Sequence, residues 1–124
     1  MKPGREMDAL VAERVMGWRV MAEYEPGVIK CLVDGNQCEV NPPEFPRYST
    51  DIAAAWEVVM ELLHRGFSTA IESEDRGAHW FRISGGEAPE GPCYLPNGEV
   101  CCSSLVSAPH AICLAALKAV GVEV

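Results

Sequence analysis

With 124 residues, 48% of them hydrophobic and 23% charged, the chain has the size and composition of one globular domain. A domain of that length buries roughly two-thirds of its unfolded surface, enough to hold a core without a metal or a disulfide. Ten Lys and Arg against eighteen Asp and Glu leave a net charge of −8, which repels phosphate and argues against general nucleic-acid or anionic-membrane binding.

The spacing predicts a first helix over residues 5–16. Met7, Leu10, Val11 and Val15 form its apolar face, and Glu6, Asp8, Glu13 and Arg14 occupy the rest. Residues 28–33 and 37–40 flank Asp34-Gly35-Asn36 and read as a hairpin. Residues 41–47, with three prolines, are irregular. A second helix is expected over 50–65, burying a stripe of Ile52, Ala55, Trp56, Val59, Met60 and Leu63. Ser49 or Thr50 is placed to cap it, and Asp51 to meet its dipole. That stripe is the widest of the three helices, so helix two is expected to be the most buried, with Trp56 in the core. Tyr48 is placed to pack on the first helical turn.

Phe67, Thr69 and Ile71 alternate with polar or small residues and predict a strand over 67–73. A turn at 74–77 leads to a second strand over 79–84, with Phe81 and Ile83 on one face. Residues 85–96 are again rich in proline and glycine, and a last strand is expected within 99–106 after Asn97-Gly98. The third helix, 109–120, buries Ile112, Cys113, Ala116, Leu117 and Val120; Ser107 caps it and Pro109 falls in its first turn. A glycine follows each helix at once, at Gly17, Gly66 and Gly121, which is a consistent stop signal. The order predicts an α+β fold: one central, mostly antiparallel sheet in a single domain over 1–124. Three apolar helix faces crowd one side of a small sheet, so helices are expected on both faces.

Three blocks then match a known family. Residues 7–18 (MDALVAERVMGW), 48–57 (YSTDIAAAWE) and 108–119 (APHAICLAALKA) resemble the phage ABA sandwich domain, in the family's order and across nearly the whole chain. The resemblance implies an α-β-α sandwich encoded by bacteriophages or integrated prophages. It implies no activity, cofactor or catalytic residue. Residues 19–47 and 85–102 carry no matching block.

Six cysteines are the chemically distinctive residues. A two-residue turn at Asp34-Gly35 sets Cys31 opposite Cys38, and one at Asn97-Gly98 sets Cys93 opposite Cys102, close enough for shared chemistry; a three-residue loop at Asp34-Gly35-Asn36 puts Leu32 opposite Cys38 instead and removes the first pairing. Three readings stay open: small hydrophobes on half-buried strands, a structural zinc site on Cys31, Cys38, Cys93 and Cys102, or disulfides. The spacings C-x6-C and C-x8-C lack the C-x2-C knuckles usual for zinc. Cys113 falls on the core side of helix three and reads as inert. His64, His79 and His110 stand at element ends, where a histidine is more often solvated or dipole-linked than a base. A Cys101–His79 nucleophile pair is geometrically conceivable. No P-loop, dinucleotide fingerprint, G-x-S-x-G or H-E-x-x-H occurs. Glu72, Glu74 and Asp75 read as a solvated loop tip, and Trp18 as either core or surface.

These features favour a non-enzymatic accessory domain that binds an unidentified protein, of phage or host. No cofactor, nucleic acid or membrane is called for, and the oligomeric state stays open. The rivals are the cysteine metal site and a thiol enzyme using Cys101 or Cys102. The start of the chain offers no signal-peptide core, and the longest uncharged apolar run is residues 111–117, so the expected compartment is the cytoplasm. A partner is expected at residues 28–40 or 85–98, which include Tyr94, rather than on outer helix faces; Phe45 is a further exposed-looking aromatic.

Overall fold

The structure, a computed structural model, describes residues 1–24, 28–33, 36–40, 46–74, 77–85, 87–88, 91–92 and 99–122. Helix α1 spans Arg5–Arg14, α2 Ile52–His64 and α3 Ala108–Ala119. Helices α2 and α3 end within one residue of the expected position and α1 two residues early, and the glycines that follow, Gly17, Gly66 and Gly121, stand at φ 77°, 92° and 88°. Behind each glycine the chain folds back onto the last helical turn: Trp18 N–H reaches Ala12 O, Phe67 N–H reaches Leu62 O and Val122 N–H reaches Leu117 O, at 2.8–3.1 Å.

The strands form two three-stranded antiparallel sheets and one short pair. Strands β1 (Arg19–Tyr24), β2 (Val28–Val33) and β3 (Asn36–Val40) lie in that order. β1 is an element the alternation of apolar residues does not announce; its register on β2 slips between Val20 and Ala22, so a strict two-residue period is lost. The β2–β3 register pairs Val33 with Asn36 and Cys31 with Cys38, the expected pairing.

Strands β4 (Ser68–Ser73), β5 (His79–Ser84) and β8 (Glu99–Ser104) form the second sheet in the order β4-β5-β8. Its registers align Ile71, Phe81 and Cys102 across the three strands, and Ala70, Arg82 and Cys101 on the alternate face. Strands β6 (Glu87–Ala88) and β7 (Gly91–Pro92) pair separately.

The whole is an α+β sandwich. Helix α3 lies on β5 and β8, and α2 packs on α3 and β4. Phe81 and Ile83 meet Met7, Val11, Leu62, Ile112 and Leu117 in one core. Helix α1 joins this core by packing on α3, and Trp80, Arg82 and Cys101, on the alternate face of the β4-β5-β8 sheet, are exposed. The stacking is possible because α3 carries Ala111, Ala115 and Ala116, all fully buried, so neighbours approach it closely from two sides.

The packing also corrects some expectations. The most buried helix is α3, with eight of its twelve residues buried, and not α2, with four of thirteen. Asp8, placed outside the apolar face of α1, is buried all the same, at 5% exposure. Its carboxylate accepts from both the amide and the hydroxyl of Ser49, at 2.8 and 2.6 Å. Ser49 is thereby turned inward and does not cap α2. Asp51 caps it, accepting the Ala53 N–H at 3.1 Å. Ser107 caps α3 as expected, through the His110 N–H at 3.2 Å. Tyr48 is buried in the core beside them.

Candidate functional site

Helix α2 presents its apolar residues in two adjacent sectors. Ala55, Val58, Val59 and Leu62 face inward and are buried. Ile52, Trp56, Met60 and Leu63, three of them at four-residue spacing, face outward at 43–52% exposure. The expected stripe is therefore rotated: of its six residues only Ala55 and Val59 belong to the core. Trp56 is a surface residue, corrected from the core assignment, because α3 and the sheet close over the sector centred on Val58 and Leu62.

Beside this ridge runs a shallow groove of about 410 Å³, wide open to solvent and lined by residues of α2 alone, Trp56, Glu57, Met60, Glu61 and His64. Glu61 is held in place by Arg65, one turn on, at 3.0 Å. Arg65 also donates through Nη2 to the Val15 carbonyl at the end of α1, so this wall of the groove is fixed to the neighbouring helix. Side chains that are half exposed, in a row, and large (Trp and Met among them) are the type that anchors protein interfaces.

A second concavity lies on the open face of the β4-β5-β8 sheet. It is a cleft of about 100 Å³ lined by Ala70, Glu72, Glu74, Trp80, Arg82 and Cys101. Glu72 and Glu74 thus border a cleft as well as a turn; Asp75 lies outside the described residues.

The chemically reactive side chains are dispersed. Adjacent positions on β8 send Cys101 to the open face and Cys102, opposite Phe81, to the half-buried one. Burial pushes the Cys102 thiol up, and Cys101 adds to this, against a smaller opposing pull from Lys118. A thiol held protonated is a poor nucleophile. The Cys101–His79 pair does not form: the two residues belong to opposite faces of the sheet, and His79 Nδ1 shares a 2.8 Å hydrogen bond with Ser73 Oγ on β4. Cys113 is fully buried, and burial, then the nearby Asp8 carboxylate, push its thiol far up.

Of the proposed zinc ligands, Cys31 and Cys38 are register partners in the β1-β2-β3 sheet, whereas Cys102 stands in the other sheet. Cys93, Tyr94 and Phe45 lie outside the described residues. Among the described residues no group of three or more His, Cys, Asp or Glu could hold a metal ion.

His110 gives a pairing that local sequence does not reveal. It is 8% exposed, not solvated at the helix end. Its Nε2 donates to the Met1 carbonyl at 2.9 Å, which leaves Nδ1 to accept from Ser104 Oγ–H at 2.7 Å. Ser104 Oγ in turn accepts the N–H groups of Val106 and Ser107 at 3.0 and 3.3 Å. The hydroxyl is thus occupied in shaping the β8–α3 turn, and the pair is a buried brace. Trp18 is half-buried against the core. His64, on the exposed side of α2, lines the groove. Among the described residues no helix is long and apolar enough to cross a membrane.

Compared with curated proteins and with solved structures, the chain finds no match. The family comparison does find one, to the phage ABA sandwich domain, and it runs through residues 9–117, from α1 through both three-stranded sheets and into α3. The chain belongs to the phage ABA sandwich domain family, a phage-associated family.

Proposed function

We propose that this chain is a non-enzymatic accessory protein of a phage or prophage that acts in the cytoplasm by binding another protein through the outer face of α2. The supporting observation is the row of Ile52, Trp56, Met60 and Leu63, each close to half exposed on one helix. Together they present roughly 400 Å² of apolar surface, within the range of about 300–600 Å² of the largest, often functional patch on a monomer. The helix supplies a rigid scaffold for them through its buried sector and through Arg65. A contact on α2 is thus favoured over one at residues 28–40 or 85–98. The family membership supports the phage setting.

The test is capture from phage-infected or prophage-carrying cells with three baits. They are the unaltered chain, a Trp56→Ser/Met60→Ser variant, and a Trp80→Ala variant on the far sheet face. A partner held by the first and third baits and lost by the second is the expected result. Equal capture by all three, from variants with native circular dichroism, refutes the assignment.

A further inference from the structure

We propose that the α2 groove receives a basic amphipathic helix of the partner protein. This deepens the reading of α2 as a protein-binding face and rests on it. The ridge from Ile52 to Leu63 runs eleven residues, about 16 Å, or three helical turns. Knobs repeating once per turn over that length form a ridge against which a second helix packs its own apolar stripe.

Charge selects the kind of helix. The polar flank of the ridge carries Glu57 and Glu61 one turn apart, with Trp56 and Met60 beside them. A Lys or Arg on the partner's flank meets the exposed Glu57 carboxylate, and a guanidinium can also lie on the face of Trp56. Arg65 already engages Glu61 at 3.0 Å, so Glu57 is the principal cation contact. The net charge of −8 draws a basic segment in from beyond contact distance.

The same charges oppose a second copy of this chain as occupant. Two copies bring two charges of −8 together. The roughly 400 Å² of ridge is about half of the 800 Å² per partner that a standard interface buries. A basic partner adds attractive polar contacts to that apolar area, whereas a second copy adds repulsion.

Two synthetic peptides of about 15 residues, with one leucine face in common, provide the probe. One carries Lys and Arg on its flanks, the other Glu at the same positions. Binding to the full chain is read by fluorescence anisotropy of a dye on the peptide. The basic peptide is expected to bind, and Trp56→Ala to weaken it at least about ten-fold. Glu57→Gln is expected to weaken it about three-fold, and Trp80→Ala to leave it unchanged. Raising salt from about 50 to about 300 mM weakens binding through screening.

Absence of binding, equal binding of the acidic peptide, or binding indifferent to Trp56→Ala overturns the proposal. So does a dimer of the chain itself that Trp56→Ala dissociates. If the peptide result fails while Trp56→Ser/Met60→Ser still loses a captured partner, the α2 reading stands and only the basic-helix chemistry falls.

Discussion

Replacing Ser49 by alanine tests how α1 is tied to the start of α2. Ser49 is fully buried. Its hydroxyl donates to Asp8 Oδ1 at 2.6 Å and accepts the Gly4 N–H at 2.9 Å. Alanine leaves Asp8 with the Ser49 amide alone, at 2.8 Å, and takes the acceptor from Gly4. Asp8 is 5% exposed, so water does not replace the lost donor. A hydrogen bond to a charged group contributes about 1.5–3 kcal/mol, and the part-buried Gly4 amide adds about 1 kcal/mol. The expected loss is about 2.5–4 kcal/mol, which for a domain of this size lowers Tm by about 10–16 °C. Thermal and urea unfolding followed by circular dichroism measure it. The urea slope should not change, because the same surface is exposed on unfolding. A double-mutant cycle with Asp8→Asn should show coupling of about 1–2 kcal/mol. A loss under about 0.5 kcal/mol, or strict additivity with Asp8→Asn, refutes the reasoning.

Further outcomes follow from burial. Trp56→Ala should cost about 1–2 kcal/mol, well short of the roughly 3–5 kcal/mol of a core tryptophan, whereas Leu62→Ala should cost about 2–5 kcal/mol; urea midpoints decide between them, and a larger loss at Trp56 returns that residue to the core. Brief alkylation of the native chain should label Cys101 faster than Cys102 and leave Cys113 untouched, as read by mass spectrometry of the digest; early labelling of Cys113 contradicts its burial. Stability should also decline in alkali. Burial raises the pKa of Cys113 and of Tyr48 in the folded chain, with Glu57, Cys113 and Asp8 adding to the Tyr48 shift. The unfolded chain therefore loses those protons first, near pH 8.5 for the thiol and near pH 10 for the phenol. Both contributions are complete below these values and fade as pH rises above them. Cys113→Ala should flatten the first part of the decline and Tyr48→Phe the second; urea midpoints that are constant between pH 7 and about 10.5 refute both assignments.

The helices were legible because their signals are local: period, a capping side chain, a following glycine. The β2–β3 register was legible only as two alternatives, Cys31 or Leu32 opposite Cys38 according to the length of the turn, and the pairing of Cys31 with Cys38 is the one that forms. What the sequence hid is long-range. Ser49 looks like a cap, but Asp8, 41 residues earlier, takes its hydroxyl. His110 looks like an exposed helix-end residue until the Met1 carbonyl, 109 residues away, accepts its Nε2–H. Strand β1 was missed because its slipped register breaks the alternation on which strand recognition depends. For the cleft residues Trp80, Arg82 and Cys101, alternation along β5 and β8 already separates them from Phe81, Ile83 and Cys102. What alternation cannot say is that no described helix would lie over that face.

The surface role of Trp56 was present in the sequence, but as a width rather than a period. At about 100° per residue, the apolar positions of α2 run from Val58 through Leu62, Ala55, Val59, Ile52, Leu63 and Trp56 to Met60, an arc of about 200°. A helix that buries one face needs only about 100° of apolar surface. The excess leaves about half of the arc outside the core, but periodicity cannot say which half meets it, since both halves repeat identically. The large side chains Trp56 and Met60 suggest the core by size. Packing chose otherwise, because α2 lies against an alanine-rich α3 and the sheet, where Ala55, Val58 and Val59 fit a close approach and an indole does not. The residues too large for that seam are left outside, on a helix whose inner half already secures it. They can therefore serve an interface without weakening the fold.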